Sequence, residues 1–230
     1  MRTDRRHFLS ALAGAVTLPL AAASAKADEA YAFPLKDDGG SPITNYRLPS
    51  QLTTEDLPGV LWTGSSQPDV TLVEFFDYNC PYCRKAVKDL DALSARDGDL
   101  RFGLVNNAIL SPGSIQAAKV QLAVMKVKGA AVAYRFHLRL LDKHGPVDGP
   151  AALQLAAEMG LDRAEVEKAG DLDEVGVVLR RQVGLASSLG FVATPSFMID
   201  GVGILGYPGA KSMGRIVGAV RKCDKVVCGA

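Results

Sequence analysis

The sequence predicts an α/β protein whose strand-and-helix core is interrupted by a long, all-helical insertion. Three observations carry that prediction. The apolar, strand-forming run Thr71-Leu72-Val73-Glu74-Phe75-Phe76-Asp77 leads straight into Cys80-Pro81-Tyr82-Cys83 and a helical pattern. Two more strand-like segments, 196–200 and 202–205, stand far downstream around Gly201, with a last helix after them. Between the two groups lie roughly eighty residues of helical periodicity.

Composition sets the frame. The 230 residues suffice for one sizeable core, or for one domain with an insertion. A chain that is 48% hydrophobic and 22% charged is not a disordered one. Twenty-six basic against 25 acidic residues leave a formal charge of +1, which argues against a nucleic-acid partner. The four cysteines fall into two close pairs, too few for a disulfide-built mini-protein.

Residues 1–27 read as an address. Arg5-Arg6 is followed by His7-Phe8-Leu9, an uncharged, alanine-rich stretch runs from Phe8 to Ala25, and Ala25-Lys26-Ala27 fits a small-residue cleavage site. The adjacent arginines resemble the twin-arginine export signal, whose cargo crosses the membrane folded. An uncleaved anchor helix is the alternative, weakened by Pro19 and the many alanines. Cleavage near Ala27 leaves 22 basic and 24 acidic residues in a periplasmic protein, where disulfides persist.

Residues 28–69 carry five prolines and no helical period, so they read as an extended arm with a short strand around 60–63. The run 71–77 is a buried strand. A helix follows from Pro81 to about Arg96, because Val87, Leu90 and Leu93 recur at three, and Gly98 marks its end. A second strand covers 101–106. The insertion, 107–190, opens with Ile115, Ala118, Leu122 and Met125 spaced three, four and three, then Val132, Phe136 and Leu140 at four. Asp162 with Glu165 makes a capping box for a short helix ending near Gly170. Val175, Val178, Leu179, Gln182 and Leu185 share one face of the next, which stops at Gly190. The segments 196–200 and 202–205 read as a hairpin, the last helix runs from about Lys211 to Lys222, and 223–230 is a tail.

The dithiol is where the chemistry lies. A helix start stabilises a thiolate through its dipole and free N–H groups, and the thiolate is the nucleophile of disulfide exchange. Pro81 suits the first turn, where its missing N–H costs nothing. Cys80 is then expected as the exposed attacker and Cys83, one turn in, as the shielded resolving thiol. Half of a zinc ribbon has the same spacing, but no second such pair follows. His137 and His144, seven apart on what reads as one helix, are more simply surface or satisfied core residues.

Val73-Glu74-Phe75-Phe76-Asp77-Tyr78-Asn79-Cys80-Pro81-Tyr82-Cys83 resembles the active-site strand and helix of the DsbA family of thiol–disulfide oxidoreductases. Gly190-Phe191-Val192-Ala193-Thr194-Pro195-Ser196-Phe197 resembles that family's cis-proline segment. The resemblance covers roughly 70–222. It implies a thioredoxin-like fold, built from 70–106 and 191–222 and interrupted by the helical insertion. It also implies a cis Pro195 facing the dithiol, with Thr194 hydrogen-bonding an extended substrate. Glu74 would be the buried carboxylate beneath the sulfurs, its pKa raised by burial, relaying the proton of Cys83. A glutamate in a salt bridge at a strand edge is the alternative.

The chain departs from the family's oxidases at three places. Tyr82 stands where they carry His, Thr194 where they carry Val, and Ala193 where a glycine is common. Pro81 and Tyr82 occupy the positions that tune Cys80. Tyr82 and Thr194 are expected to make it a weaker acid than in a strong oxidase, and its disulfide less oxidising.

Cys223 and Cys228 are expected to form a structural disulfide pinning the tail to the last helix. A second redox couple passing electrons to Cys80 is the alternative. The expected function is a dithiol oxidase that introduces disulfides into folding exported proteins and is reoxidised by a membrane redox partner, without cofactor or metal. A disulfide isomerase or reductase is the alternative. Isomerases of this superfamily typically dimerise through an N-terminal module, and the proline-broken arm favours a monomer. A dithiol carrier of Cu(I) is a third reading, for which no methionine or histidine cluster stands near the pair.

Overall fold

A computed structural model describes residues 32–50, 52–54 and 57–229. The export signal expected over 1–27, with its cut near Ala27, lies outside the described residues. Along the chain run β1 (Asn45–Arg47), β2 (Leu61–Gly64), β3 (Val70–Phe76), α1 (Pro81–Arg96), β4 (Leu100–Asn106), α2 (Pro112–Lys128) and α3 (Ala130–Asp142). There follow α4 (Gly149–Glu158), α5 (Arg163–Gly170), α6 (Asp173–Ser188), β5 (Ser196–Ile199), β6 (Val202–Leu205) and α7 (Ala210–Cys223). Among the described residues, no helix is long and apolar enough to cross a membrane.

The strands form one mixed sheet in the order β1-β6-β5-β3-β4-β2. β3 pairs parallel with β4 through the α1 crossover, and antiparallel with β5, the first strand of the expected hairpin. Alternation along β3 sends its side chains to two cores. Leu72 and Phe76 face the larger one, with Val87 and Leu90 of α1, Phe136 of α3 and Ile216 of α7. Val73 and Phe75 face the other, with Ala186 of α6 and Phe191. Glu74 shares the face of Leu72 and Phe76, so its carboxyl enters the α1 side of the sheet.

Residues 28–69 hold more structure than the sequence suggested. β2 is the short strand expected there, but β1 is a second one, and the two form opposite edges of the sheet. The buried Asn45 explains why proline-rich chain is held there. Its side chain accepts from Phe33 N (2.8 Å) and donates to Phe33 O (2.9 Å) and Ile43 O (2.8 Å). Phe33, Leu35, Ile43, Leu48 and Leu57 supply the buried apolar anchors.

The insertion is organised around α2, which packs against α3, α4, α5 and α6. Its expected stripe is only partly the buried one. Ala118 and Leu122 are buried, while Ile115 is exposed and Ala117, Val120, Gln121, Ala123 and Val124 are buried as well. A central helix is covered on most sides, so a one-face pattern under-describes it. Gly129 separates α2 from α3 at φ 81°, a conformation other residues rarely adopt. α4, which the sequence did not mark as a separate helix, begins with Asp148 accepting from Ala151 N at 2.9 Å. Asp162 accepts from Glu165 N at 3.0 Å, the cap expected for α5.

Candidate active site

The site is assembled where β3 ends and α1 begins. Cys80 is the N-cap of α1, with Pro81 in the first helical turn. The Cys83 N–H donates to Cys80 Sγ at 3.3 Å, so the two-residue spacer turns the second amide onto the first sulfur. From the other side of the molecule the Thr194 carbonyl oxygen stands 3.0 Å from the same sulfur. The Thr194–Pro195 peptide bond is cis. Neither Cys80 nor Cys83 is disulfide-bonded in this structure.

One expectation needs correction. Cys80 was read as exposed, but it is 2% exposed and Cys83 is 0%. The sulfur is turned inward between the first turn of α1 and the Thr194 carbonyl. Tyr82, two residues on, is 64% exposed, and Val192, two residues before Thr194, is 75% exposed.

The two thiols differ in acidity. Cys80 has its pKa brought down to about 6, first by the hydrogen bond of the Cys83 thiol and further by Thr194 and the backbone N–H groups of Cys83 and Tyr82, outweighing its burial. Thr194 meets the sulfur through its carbonyl, and its buried hydroxyl has no hydrogen-bond partner among the described residues. Tyr82 acts on Cys80 through its backbone, while its ring is in solvent. Cys83 is pushed far up, by burial first, then by its bond to Cys80 and the charge of Glu74. Glu74, 1% exposed, is pushed up to about 8 by burial and by the charge of Cys80. It sits opposite Leu104 of β4 and Phe197 of β5, and its Oε1 has no hydrogen-bond partner among the described residues.

Three residues to which the sequence reading gave no role fasten this turn to the insertion. Asp77 accepts from Asn79 N (2.8 Å), Ile109 N (2.9 Å) and Leu110 N (3.0 Å). Asn79 donates to Val147 O (2.8 Å), Ser111 Oγ (3.2 Å) and Ser114 Oγ (3.1 Å), and accepts from Val147 N (2.7 Å). Arg84 donates to the carbonyls of Lys143, Gly145 and Tyr78. Their only signal in the sequence was polar side chains packed around a dithiol, which does not name the partners.

His137 is buried against Phe76, and Tyr78 Oη lies 3.3 Å from its Nδ1. His144 lies beyond the end of α3, so the two histidines do not share a helix. Among the described residues, no group of three or more His, Cys, Asp or Glu converges as metal ligands would. Cys223 and Cys228 are joined by a disulfide at the end of α7. That end lies beside the start of β3, where Arg221 holds Asp69 and Asp97. Cys80 follows the other end of β3, roughly 20 Å away.

Two thiols of unequal acidity at a helix start, beside a cis-proline and over a buried carboxyl, define the class of thiol–disulfide oxidoreductases on a thioredoxin-like α/β fold with a helical insertion. The chain belongs to the thioredoxin family, whose pattern, described as thioredoxin, matches residues 56–219. It is similar to a thioredoxin-like oxidoreductase from Silicibacter pomeroyi DSS-3, at 31% identity and a TM-score of 0.69, over 75% of this chain and 99% of that one. The thiol–disulfide exchange protein alpha-DsbA2 from Wolbachia pipientis shares the fold at 23% identity and a TM-score of 0.65, over 69% of this chain and 86% of that one. Over 183 residues, 74% of this chain, there is 29% identity to the Na(+)/H(+) antiporter NhaA of Herminiimonas arsenicoxydans. The chain spans 28% of the length of that curated relative.

Proposed function

We propose that the protein is an exported, monomeric dithiol oxidase that introduces disulfides into folding periplasmic proteins. The observation that carries the reading is the low pKa of Cys80, about 6, against a Cys83 pushed far up. A stabilised Cys80 thiolate favours the reduced enzyme, and so makes its disulfide an oxidant. A substrate thiolate attacks Cys80 Sγ of the Cys80–Cys83 disulfide. The bond between the cysteines breaks, and Cys83 leaves as a thiolate and takes the proton of Glu74. A second substrate thiolate then attacks the substrate sulfur of the mixed disulfide. Cys80 departs as a thiolate, a good leaving group at its low pKa. The substrate gains a disulfide, the enzyme is left as the dithiol, and a membrane redox partner reoxidises it.

Thr194 and the cis Pro195 form the surface for an extended substrate beside Cys80. The Cys223–Cys228 disulfide serves structure, fixing the tail so that Val226 stays in the core. Support for a monomer comes from the arm, whose described part joins the chain's own sheet as its two edge strands instead of forming a separate module. A disulfide isomerase or reductase is the second reading, favoured by the departures at Tyr82 and Thr194. Equilibration of the mature protein with glutathione decides between them. The oxidase reading expects a potential nearer the about −120 mV of DsbA than the about −270 mV of thioredoxin. It also expects stoichiometric oxidation of a reduced substrate and poor unscrambling of wrong disulfides. A thioredoxin-like potential, or a stable oligomer that unscrambles efficiently, selects the second reading.

A further inference from the structure

Glu74 lies in an interior that holds other polar groups. On the α1 side of the sheet, Glu74, Phe76 and Tyr78 follow one another at alternate positions, and His137 of α3 closes over them. Its ring stands 4.6 Å from that of Phe76, edge to face. The Tyr78 ring is 5.0 Å from Phe76 on the same side, and Tyr134 stacks on His137 at 6.3 Å. Both Tyr78 and His137 are 1% exposed.

The direction of the Tyr78–His137 hydrogen bond follows from the chemistry of the pair. Burial keeps His137 neutral, with its pKa near 3, so one ring nitrogen offers a lone pair. Burial and the charge of Glu74 keep the Tyr78 hydroxyl protonated. The hydroxyl therefore donates to Nδ1, across 3.3 Å. Glu74 Oε1, an acceptor in the same interior, is left without a donor. One donor is thus committed to histidine while the carboxyl it is electrostatically coupled to keeps an unpaired oxygen. A hydrogen bond to a carboxylate stabilises its charged form, so the commitment bears on when Glu74 ionises.

We propose that His137 is a positioning residue for the dithiol: by accepting the hydrogen bond of the Tyr78 hydroxyl, it keeps that donor off Glu74 and holds the carboxyl as a protonated acid beneath the two sulfurs. The inference rests on the reading of Glu74 as the proton store for Cys83. Without the imidazole, the buried hydroxyl loses its acceptor, at a cost that drives it to find another. The Tyr78 backbone stays fixed by Arg84, and the ring turns toward Glu74. The other ionisable groups around Glu74 have partners of their own. The Cys80 and Cys83 thiols, at the start of α1, hydrogen-bond to each other, Tyr134 of α3 donates to Asp91, and Tyr207, after β6, donates to Asp89. The facing residues of β4 and β5, Leu104 and Phe197, are apolar.

The test is carboxyl carbon NMR of the reduced, full-length mature protein, with Glu74→Gln identifying the Glu74 signal. The wild-type midpoint is expected near 8. His137→Phe, which keeps a ring in the stack, should lower it by about one pH unit, tenfold in proton affinity. Tyr78→Phe should leave it near the wild-type value, and so should the Tyr78→Phe, His137→Phe double variant. His137→Gln keeps an acceptor for the hydroxyl and should stay near wild type. An unchanged midpoint in His137→Phe overturns the proposal, and so does an equal drop in the double variant, which would trace the effect to packing or water. If His137→Phe does not fold, His137→Leu takes its place with the same expectations. A wild-type midpoint in the ordinary carboxylate range overturns the reading of Glu74 itself, an outcome distinct from the others.

Discussion

The carbonyl oxygen of Thr194 lies 3.0 Å from the sulfur of Cys80, although 114 residues separate the two in the chain. The helical insertion occupies most of that interval, leaving from the end of β4 and returning ahead of β5. The Thr194 hydroxyl, at the same position, is buried with no hydrogen-bond partner of its own among the described residues, and so is available to the Cys80 thiolate. Thr194→Val keeps the backbone carbonyl and the side-chain shape but removes the hydroxyl. The Cys80 midpoint, followed by thiolate absorbance, should rise from near 6 by about half a pH unit to one unit. The disulfide should become less oxidising in step. A midpoint that stays or falls would show that the hydroxyl does not support the thiolate.

Cys80→Ser should abolish thiol–disulfide exchange, while Cys83→Ser should accumulate mixed disulfides through Cys80. The unequal acidity of the thiols motivates this: at neutral pH Cys80 is a thiolate and Cys83 is not. Adducts are read by non-reducing gel and mass spectrometry. Adducts on Cys80→Ser and none on Cys83→Ser would reverse the roles.

Much of this site was legible in the sequence because its parts are local. A strand, a helix start and two cysteines at a fixed spacing lie within fourteen positions, from about 70 to 83, where periodicity and capping rules act. What stayed hidden is what folding brings together. The bonds from Asn79 to Val147 and from Arg84 to Lys143 and Gly145 span some sixty residues or more, and no local pattern announces them. β1 was missed because three residues are too few for an alternation to show, and its anchor is the one side chain of Asn45. Burial of Cys80 was missed because its cover, Thr194, comes from the far end of the insertion.

Asn79→Ala should destabilise the protein by about 2–3 kcal/mol, because both backbone groups of Val147 lose their partner. It should also loosen the turn that carries Cys80. Denaturant unfolding gives the first effect, and a shift in the Cys80 midpoint gives the second. Wild-type stability would mean that water replaces the side chain without loss.

Replacing Arg5-Arg6 by Lys-Lys should block export, since the twin-arginine route reads the guanidinium pair and not positive charge alone. Fractionation of cells expressing the full chain measures it. Export at the wild-type level would point to the general secretory route.

Glu74 also sets a sign for stability against pH. Its pKa in the folded dithiol form is about 8, against 4.5 for an ordinary glutamate. Between those values the folded protein holds a proton that the unfolded chain has released, so stability falls as pH rises. The contribution is fully present below about 4.5 and is lost by about 8. Glutamine fills the same space and does not titrate. Glu74→Gln should therefore gain on wild type as pH rises from 4 to 9. The total gain is on the order of 4 kcal/mol, read as a widening gap in denaturation midpoints. Turnover should move the other way, because an amide cannot exchange the Cys83 proton. The loss should be larger at neutral pH than at high pH, where hydroxide takes over. A constant stability gap across this range would mean that Glu74 titrates in the folded protein as it does in the unfolded chain, and equal turnover would remove it from the mechanism.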